Sequence, residues 1–469
     1  MSPRTLVAGV DSSTQSTKVV VCDADTGAVL RTSAARHPEG TEVHPERWWD
    51  AYRAATRDGL LDGVSAIAVG GQQHGMVALD EQDEVVRDAL LWNDTRSAGD
   101  ARDLTAELGG PGAWIDAVGS VLVPSFTVTK LRWLARQEPG NAARVARVVL
   151  PHDWLTGRIL KDGNGFTRWT TDRGDASGTG YWSAATDAYR SDLLRLAFGR
   201  DLEVPEVLAP AAAAGHTSDG VLVGAGTGDN MGAALGLALQ PGDVVVSLGT
   251  SGTVFTRHER ALRDATGYIA GFADATGRHL PLLCTLNAAR VLTSTAAMLG
   301  VGLDELDRLA RDAGPGAGGL TLLPYLDGER TPDLPDATGT LGGITRANAT
   351  PANLARAAVE GMLCNLVAGA DAFRDKGVHV GRVLLIGGAA ASQAVREIAP
   401  GLFRAPVVVP HPAEYVALGM ARQAAWALSG AGTPPAWERA IDSEYAVPAQ
   451  DGSAVLERYR ALLRALHDR

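Results

Sequence analysis

The sequence predicts an α/β protein of two domains built on one plan, and three observations carry that prediction. An apolar run, a loop of small hydroxyl residues and a second apolar run open the chain as VAGVDSSTQSTKVVVCD, Val7 to Asp23, and the pattern returns as GDVVVSLGTSGTVFTRHE, Gly242 to Glu259. Strand-type runs alternate with helix-type runs in both halves. At 469 residues, 45% of them hydrophobic, the chain is too long for one ordinary core and apolar enough to fill more than one.

Taken in order, Thr5 to Val10 and Lys18 to Cys22 have strand composition, and the turn DADTG at Asp23 to Gly27 leads to a third short run, AVLRT, which makes an antiparallel meander. HPERWWDAYRAATRDGLL, from His44, has a proline near its start and apolar residues at helical spacing, so Trp48 and Trp49 are expected to pack rather than to form a ligand platform. VSAIAVGG, Val64 to Gly71, reads as a buried strand running into the polar loop QQHGM, followed by a helical, polar section to about Arg200. After the repeat come a connector, GPGAGG at Gly314 to Gly319, expected to be flexible, and a long helix from Pro351 through Phe373. The strand RVLLIGG then ends at Gly388, and a solvated closing helix begins near Gly452. The domain boundary falls near Leu239 to Pro241, giving domains 1–240 and 241–469.

Charge and cysteine usage narrow the function. The 43 Lys+Arg against 54 Asp+Glu give a net charge of -11, which disfavours a nucleic-acid or anionic-membrane partner but leaves room for a small anion held locally. Cys22, Cys284 and Cys364 lie far apart with no CxxC spacing, so they read as buried small apolar groups rather than as a disulfide framework or zinc site. MSPRTLVAGVDSS holds too short an apolar run for a signal peptide, and no later run reaches the roughly 18 residues of a membrane span, so the expected setting is the cytoplasm.

Several motifs fail on inspection. GxxxxGK[ST] and HExxH are absent, and GTSG at Gly249 to Gly252 is one residue short of a GxSxG elbow. GPGAGG matches GxGxxG but follows a helical stretch rather than a strand. What remains is a set of loops, DSSTQST, GTGDN, GTSGT and GGAAAS, each placed after an apolar strand. Glycine lets backbone N–H groups approach an anion and serine or threonine hydroxyls add donors, so such loops can hold phosphates without a Walker lysine. Two of them at equivalent points of repeated halves could face each other across a cleft.

Asp11 and Asp229 each end a small-residue approach, where a carboxylate faces solvent, a metal or a reacting hydroxyl, or serves a turn; Asp229 could equally cap the helix NMGAALGLAL. His74 lies on a loop after a buried strand, where binding residues concentrate, or is a satisfied supporting histidine. LLWNDTRS offers Trp92, Asn93, Asp94 and Arg96 after an apolar run, with turn chemistry an equal explanation for Asn93 and Asp94.

Together these motifs resemble the FGGY family of carbohydrate kinases. SFTVTKLRWLARQ, Ser125 to Gln137, fits one family signature, including Lys130 and Trp133, and GTLGGITRANATPANLARAAVE, Gly339 to Glu360, fits the other. DSSTQSTK, QHG, WND.R, GTGDN, GTSG, LPYLDGERTP and GGAAAS fall around them in the family order, so the similarity spans nearly the whole chain. The resemblance implies an actin-like ATPase (ribonuclease H-like) fold, each domain a mixed sheet flanked by helices, closing on ATP and a sugar. It implies sugar, Mg²⁺ and the catalytic base on the N-terminal domain and ATP on the C-terminal one.

Carried over by position, Asp229 resembles the general base and Asp11 the carboxylate that holds Mg²⁺ through waters, with Asp229 also on the metal side. Gln73 and His74 occupy the sugar-contacting pair, joined by Asn230, Trp92 and Asp94. Thr14, Gln15, Gly249 and Thr250 are implied at the phosphates, and Gly387, Gly388 and Ser392 on the adenosine side. The implied reaction is ATP-dependent phosphorylation of D-xylulose, with ribulose, gluconate, glycerol or a rarer ketose as alternatives and an actin- or Hsp70-like nucleotide-driven binding protein as a remote one. Homodimerisation is a family-level expectation. Two departures stand out: many relatives acting on D-xylulose carry Met at the position of Gln73, and Ala389 and Ala391 replace a glycine and a basic residue in the adenosine loop.

Overall fold

The computed structural model describes residues 4–449 and 451–467. The chain forms two compact units. The first takes the described residues up to Leu239 together with His258–Pro281 and Ala413–Glu438; the second takes Gln240–Arg257, Leu282–Pro412 and the described residues from Arg439 onward. The sequence reading drew a single boundary near residue 240. The units change over there too, but two segments from the second half pack with the first unit.

In the first unit, strands β1 (Leu6–Ser12), β2 (Ser16–Asp23) and β3 (Val29–Arg36) form the antiparallel meander, and β4 (Val64–Gly71) lies parallel to β1 on its other side. β5 (Ala213–His216), β6 (Leu222–Gly224) and β7 (Thr227–Gly228) complete a seven-stranded sheet of order β5-β6-β4-β1-β2-β3, with β7 pairing the end of β4. Both faces are covered, so β1 and β4 read as almost continuous apolar runs rather than as alternating ones. The core holds Val10, Val19, Val21, Ile67, Val69 and Val223 with Trp48, Trp49 and Trp154. Trp48 and Trp154 meet edge to face at 6.1 Å, which makes the tryptophans of the helix Glu46–Ala55 packing groups, as their spacing predicts.

The second unit repeats the plan. β8 (Asp243–Leu248) and β9 (Gly252–Thr256) pair antiparallel, and β9 pairs with the last residues of β10 (His279–Thr285). β11 (Arg382–Ile386) and β12 (Val407–Pro410) continue parallel from β8, with β13 (Ile441–Tyr445) antiparallel at the edge. The order β10-β9-β8-β11-β12-β13 matches β3-β2-β1-β4-β6-β5 strand for strand, in direction as well as position. This is a duplicated, ribonuclease H-like mixed sheet.

The long helix runs Pro351–Asp375, started by Thr350, whose hydroxyl accepts the Asn353 N–H, and by Pro351 in the first turn. The closing helix Ser453–His467 buries only Leu456 and Tyr459. GPGAGG is not a loose connector: it ends in a 3-10 turn, Ala317–Gly319, with Gly316 N–H donating to buried Glu360 and Gly318 C=O accepting from Asn348. Cys22 and Cys364 are buried as expected, whereas Cys284 is half-buried. Among the described residues no helix is long and apolar enough to cross a membrane.

Candidate active site

β1 carries Asp11 into the sheet rather than leaving it at the strand end: it sits opposite Lys18 on β2 and Gly70 on β4, and is 4% exposed. Its Oδ1 is buried and accepts no hydrogen bond. Burial pushes its pKa up to about 6 against the pull of Lys18, whose ammonium is held by Glu414 at 2.6 Å.

Asp229 is the first residue of the helix Asp229–Gly236, and Gly228 rather than Asp229 occupies the N-cap. Its carboxylate therefore does not cap the helix. Oδ1 instead accepts from the Asn230 backbone N–H at 2.7 Å and from Asn230 Nδ2 at 2.8 Å, while Oδ2 has no hydrogen-bond partner among the described residues. Burial, then the charge of Asp11, raise its pKa to about 7. The Asn230 amide reaches on to Gln73 Oε1 at 3.2 Å, so Asp229, Asn230 and Gln73 form one chain of side chains.

His74 takes a left-handed backbone, φ 69°, directly after Gln73. Its Nδ1 donates to Gly178 C=O at 2.6 Å, which fixes the orientation of the ring and turns Nε2 to the other side. The ring stacks on Phe126 with centroids 4.9 Å apart and tilts against Phe272 at 5.6 Å. The signature segment explains the stack: buried Lys130 donates to the carbonyls of Pro124 and Ser125, turning the chain so that Phe126 lies under the imidazole, and Thr127 donates to His74 C=O at 3.0 Å. Lys130 is thus a scaffold residue.

Other expected residues are placed less directly. Trp92 donates from Nε1 to Thr14 Oγ1 at 2.7 Å, tying it to the β1–β2 loop, on which Gln15 is exposed. Asp94 is buried and already engaged by Arg96 and by Thr41 Oγ1 at 2.8 Å. In the second unit, Gly249 and Thr250 form the β8–β9 turn with Thr250 exposed, and Gly387 and Gly388 follow β11. Ser392 caps the helix Gln393–Phe403 and donates to Asp307 at 2.5 Å, so its hydroxyl is committed to structure.

The sequence reading passed over a buried group beneath these residues. His152 Nδ1 lies 2.6 Å from Asp175 Oδ2, and its Nε2 lies 3.2 Å from Asp153 Oδ1, all at most 1% exposed. Burial opposes the imidazolium, but Asp153 and Asp175 outweigh it and raise the pKa to about 9. The dense His and Asp of PHDW and TTDRGDASG were the available signal.

Residues 6–236 match the N-terminal domain of the FGGY family of carbohydrate kinases, and residues 244–428 match its C-terminal domain. The xylulose kinase of Streptomyces coelicolor is 47% identical over 441 residues, 91% of this chain and 88% of that protein, and that of Streptomyces rubiginosus is 46% identical over 93% and 91%. The crystal structure of xylulose kinase from Bifidobacterium adolescentis superposes with a TM-score of 0.90 at 45% identity, covering 98% of this chain and 99% of its own. With two matching sheets, both signatures and two domain matches that together span most of its length, the chain belongs to the FGGY family of carbohydrate kinases.

Proposed function

We propose that the protein transfers the γ-phosphoryl group of ATP to D-xylulose, giving D-xylulose 5-phosphate and ADP, with Asp229 as general base. The observation that carries the chemistry is the Asp229 carboxylate, held through Oδ1 by Asn230 with Oδ2 open, beside the polar groups of Gln73 and His74. The sugar identity rests on the xylulose kinase relatives.

As the terminal hydroxyl oxygen attacks the γ-phosphorus, its proton passes to Asp229 and the bond to the ADP oxygen breaks. General-base assistance of this kind contributes roughly 10²- to 10⁴-fold, the rest coming from positioning and charge stabilisation. A pKa near 7 lets Asp229 ionise at neutral pH yet bind a proton readily in the transition state. Gln73, His74 and Asn230 hold the sugar, and Trp92, fixed to Thr14, walls the same loop region; Asp94 supports through Arg96 and Thr41. Thr14, Gln15, Gly249 and Thr250 are assigned to phosphate oxygens, and Gly387 and Gly388 to the nucleoside end. For Ser392 we assign only the helix cap that ends that loop.

The residues present fit a divalent cation: Asp11 Oδ1 is a buried carboxylate oxygen with no hydrogen-bond partner, and half-buried Asp229 uses only Oδ1 in its hydrogen bonds among the described residues. Asp11, with Asp229 through water, would hold Mg²⁺. When bound, the ion offsets the charge of the phosphate oxygens. The proposed setting is the cytoplasm, which supplies ATP.

The test is a coupled ADP-release assay with Mg·ATP across ketopentoses, polyols and sugar acids. D-xylulose is expected to give the highest kcat/KM; a better substrate in the panel would overturn the sugar assignment and leave the kinase chemistry standing.

A further inference from the structure

Asp175 is a branch point between the two halves of the acceptor site. Its backbone C=O accepts the Gly178 N–H at 2.9 Å, and Gly178 C=O in turn accepts from His74 Nδ1 at 2.6 Å. Its backbone N–H donates to Asp172 Oδ1 at 2.8 Å, and Asp172 Oδ2 accepts from Thr227 Oγ1 at 2.7 Å, two residues before Asp229. Asp175 itself is held from one side, by His152 at 2.6 Å.

His152 is packed closely against two glycines, its backbone and Cβ against Gly71 and its ring against Gly226. A Cβ on Gly71, which leads β4 into Gln73 and His74, would come 2.8 Å from His152 Cβ. One on Gly226, which leads into Thr227 and Asp229, would come 2.6 Å from His152 Cδ2. His152 thus abuts both segments that deliver the acceptor-site residues, Gly71 through its backbone and Cβ and Gly226 through its ring, and the ring's hydrogen bond to Asp175 holds the turn linked to both.

We propose that His152 and Asp175 form a positioning pair that sets His74 and Asp229 in register with each other, so that one buried contact governs sugar orientation and proton acceptance together. The proposal rests on the reading of His74 as a sugar contact and Asp229 as the base. His152, Asp153 and Asp175 also offer ligand-type atoms within 4.8 Å of one another. Of the two ring nitrogens only Nδ1 is hydrogen-bonded, to Asp175; Nε2 lies 3.2 Å from Asp153 Oδ1 and makes no hydrogen bond, so the contact the proposal uses is the one to Asp175.

The two routes make different predictions, because a displacement of about 1 Å at a reacting group costs up to roughly 10²-fold in rate. Asp175→Asn should lower kcat by about tenfold or more, raise the KM for D-xylulose by a similar factor, and leave the KM for ATP within about twofold. Thr227→Val, which removes only the hydroxyl on the Asp229 route, should lower kcat by about tenfold with the sugar KM within about twofold, and Thr227→Ser should restore most of the loss. A role confined to folding would lower the melting temperature without separating kcat from KM.

Wild-type kcat and sugar KM in folded Asp175→Asn and Thr227→Val would overturn the proposal. Should Asp175→Asn fail to fold, His152→Asn, which alters the other side of the same contact, decides: a lower kcat together with a raised sugar KM supports the pair, and wild-type values of both overturn it. Asp229→Asn, assayed alongside, separates the premises. If it retained activity the base assignment would fall, while the KM change of Asp175→Asn would still report on the His74 route.

Discussion

The Asn230 side-chain amide donates to Gln73 Oε1 over 3.2 Å, which commits the other end of the Gln73 amide, Nε2, to face away as a buried donor with no partner of its own. A buried donor left unmade is costly, so Nε2 is poised to find its acceptor in a sugar hydroxyl. Gln73→Met should therefore raise the KM for D-xylulose by about tenfold and narrow the discrimination among ketopentoses, because a site built around a hydrogen bond rejects a misplaced hydroxyl better than an apolar wall does. Specificity constants over a ketopentose panel check this; an unchanged ranking and KM would remove Gln73 from recognition.

The helix that begins with Asp229 is held by close backbone approach to the helix Tyr415–Ser429. A Cβ on Gly419 would lie 1.9 Å from Gly232 C=O. Gly419→Ala should destabilise the protein by about 3 kcal/mol, the upper range of overpacking costs. It should also depress kcat through displacement of Asp229. Urea denaturation with a loss below about 0.5 kcal/mol would show that the helices can part without cost.

Stability should fall on the alkaline side through His152. Its folded-state pKa, about 9, lies above its ordinary 6.5, so its contribution is fully present below about pH 6.5 and is lost as pH rises through about 9. Asp153, raised to about 7, and Asp172, raised to about 6, have already ionised in the upper part of that window, and Tyr181, pushed up strongly by burial and the same carboxylates, does not titrate there. Between about pH 8 and about pH 10 the melting temperature of the wild type should drop more than that of His152→Asn, which keeps a donor but has no proton to lose. Parallel curves would show that the imidazolium adds nothing.

The meanders and the repeat were legible because local signals fix them: β1, β2 and β3 are adjacent in sequence and broken by turn residues, and β8 and β9 show the same pattern. The parallel pairings of β4 with β1 and of β11 with β8 span long crossovers that leave no short-range mark. Neither does the return of Ala413–Glu438 to the first unit. For the candidate site, loop chemistry and family order point to Asp229, Asn230, Gln73 and His74, and the first three are joined by hydrogen bonds. Ser392 and Asp94 show the limit of that reasoning, since the same side chains serve a cap and an ion pair. His152, Asp175, Asp172 and Thr227 went unseen because each resembles an ordinary cap or turn residue, and Asp172 does cap the short helix Arg173–Ala176. Only the fold joins them.

The most direct test of the account is the turnover of Asp229→Asn with D-xylulose and Mg·ATP, measured beside its affinity for ATP. The account predicts a kcat lower by about 10³-fold or more, within the range that a general base contributes, with the ATP dissociation constant within about threefold of wild type. A kcat within about tenfold of wild type would contradict it.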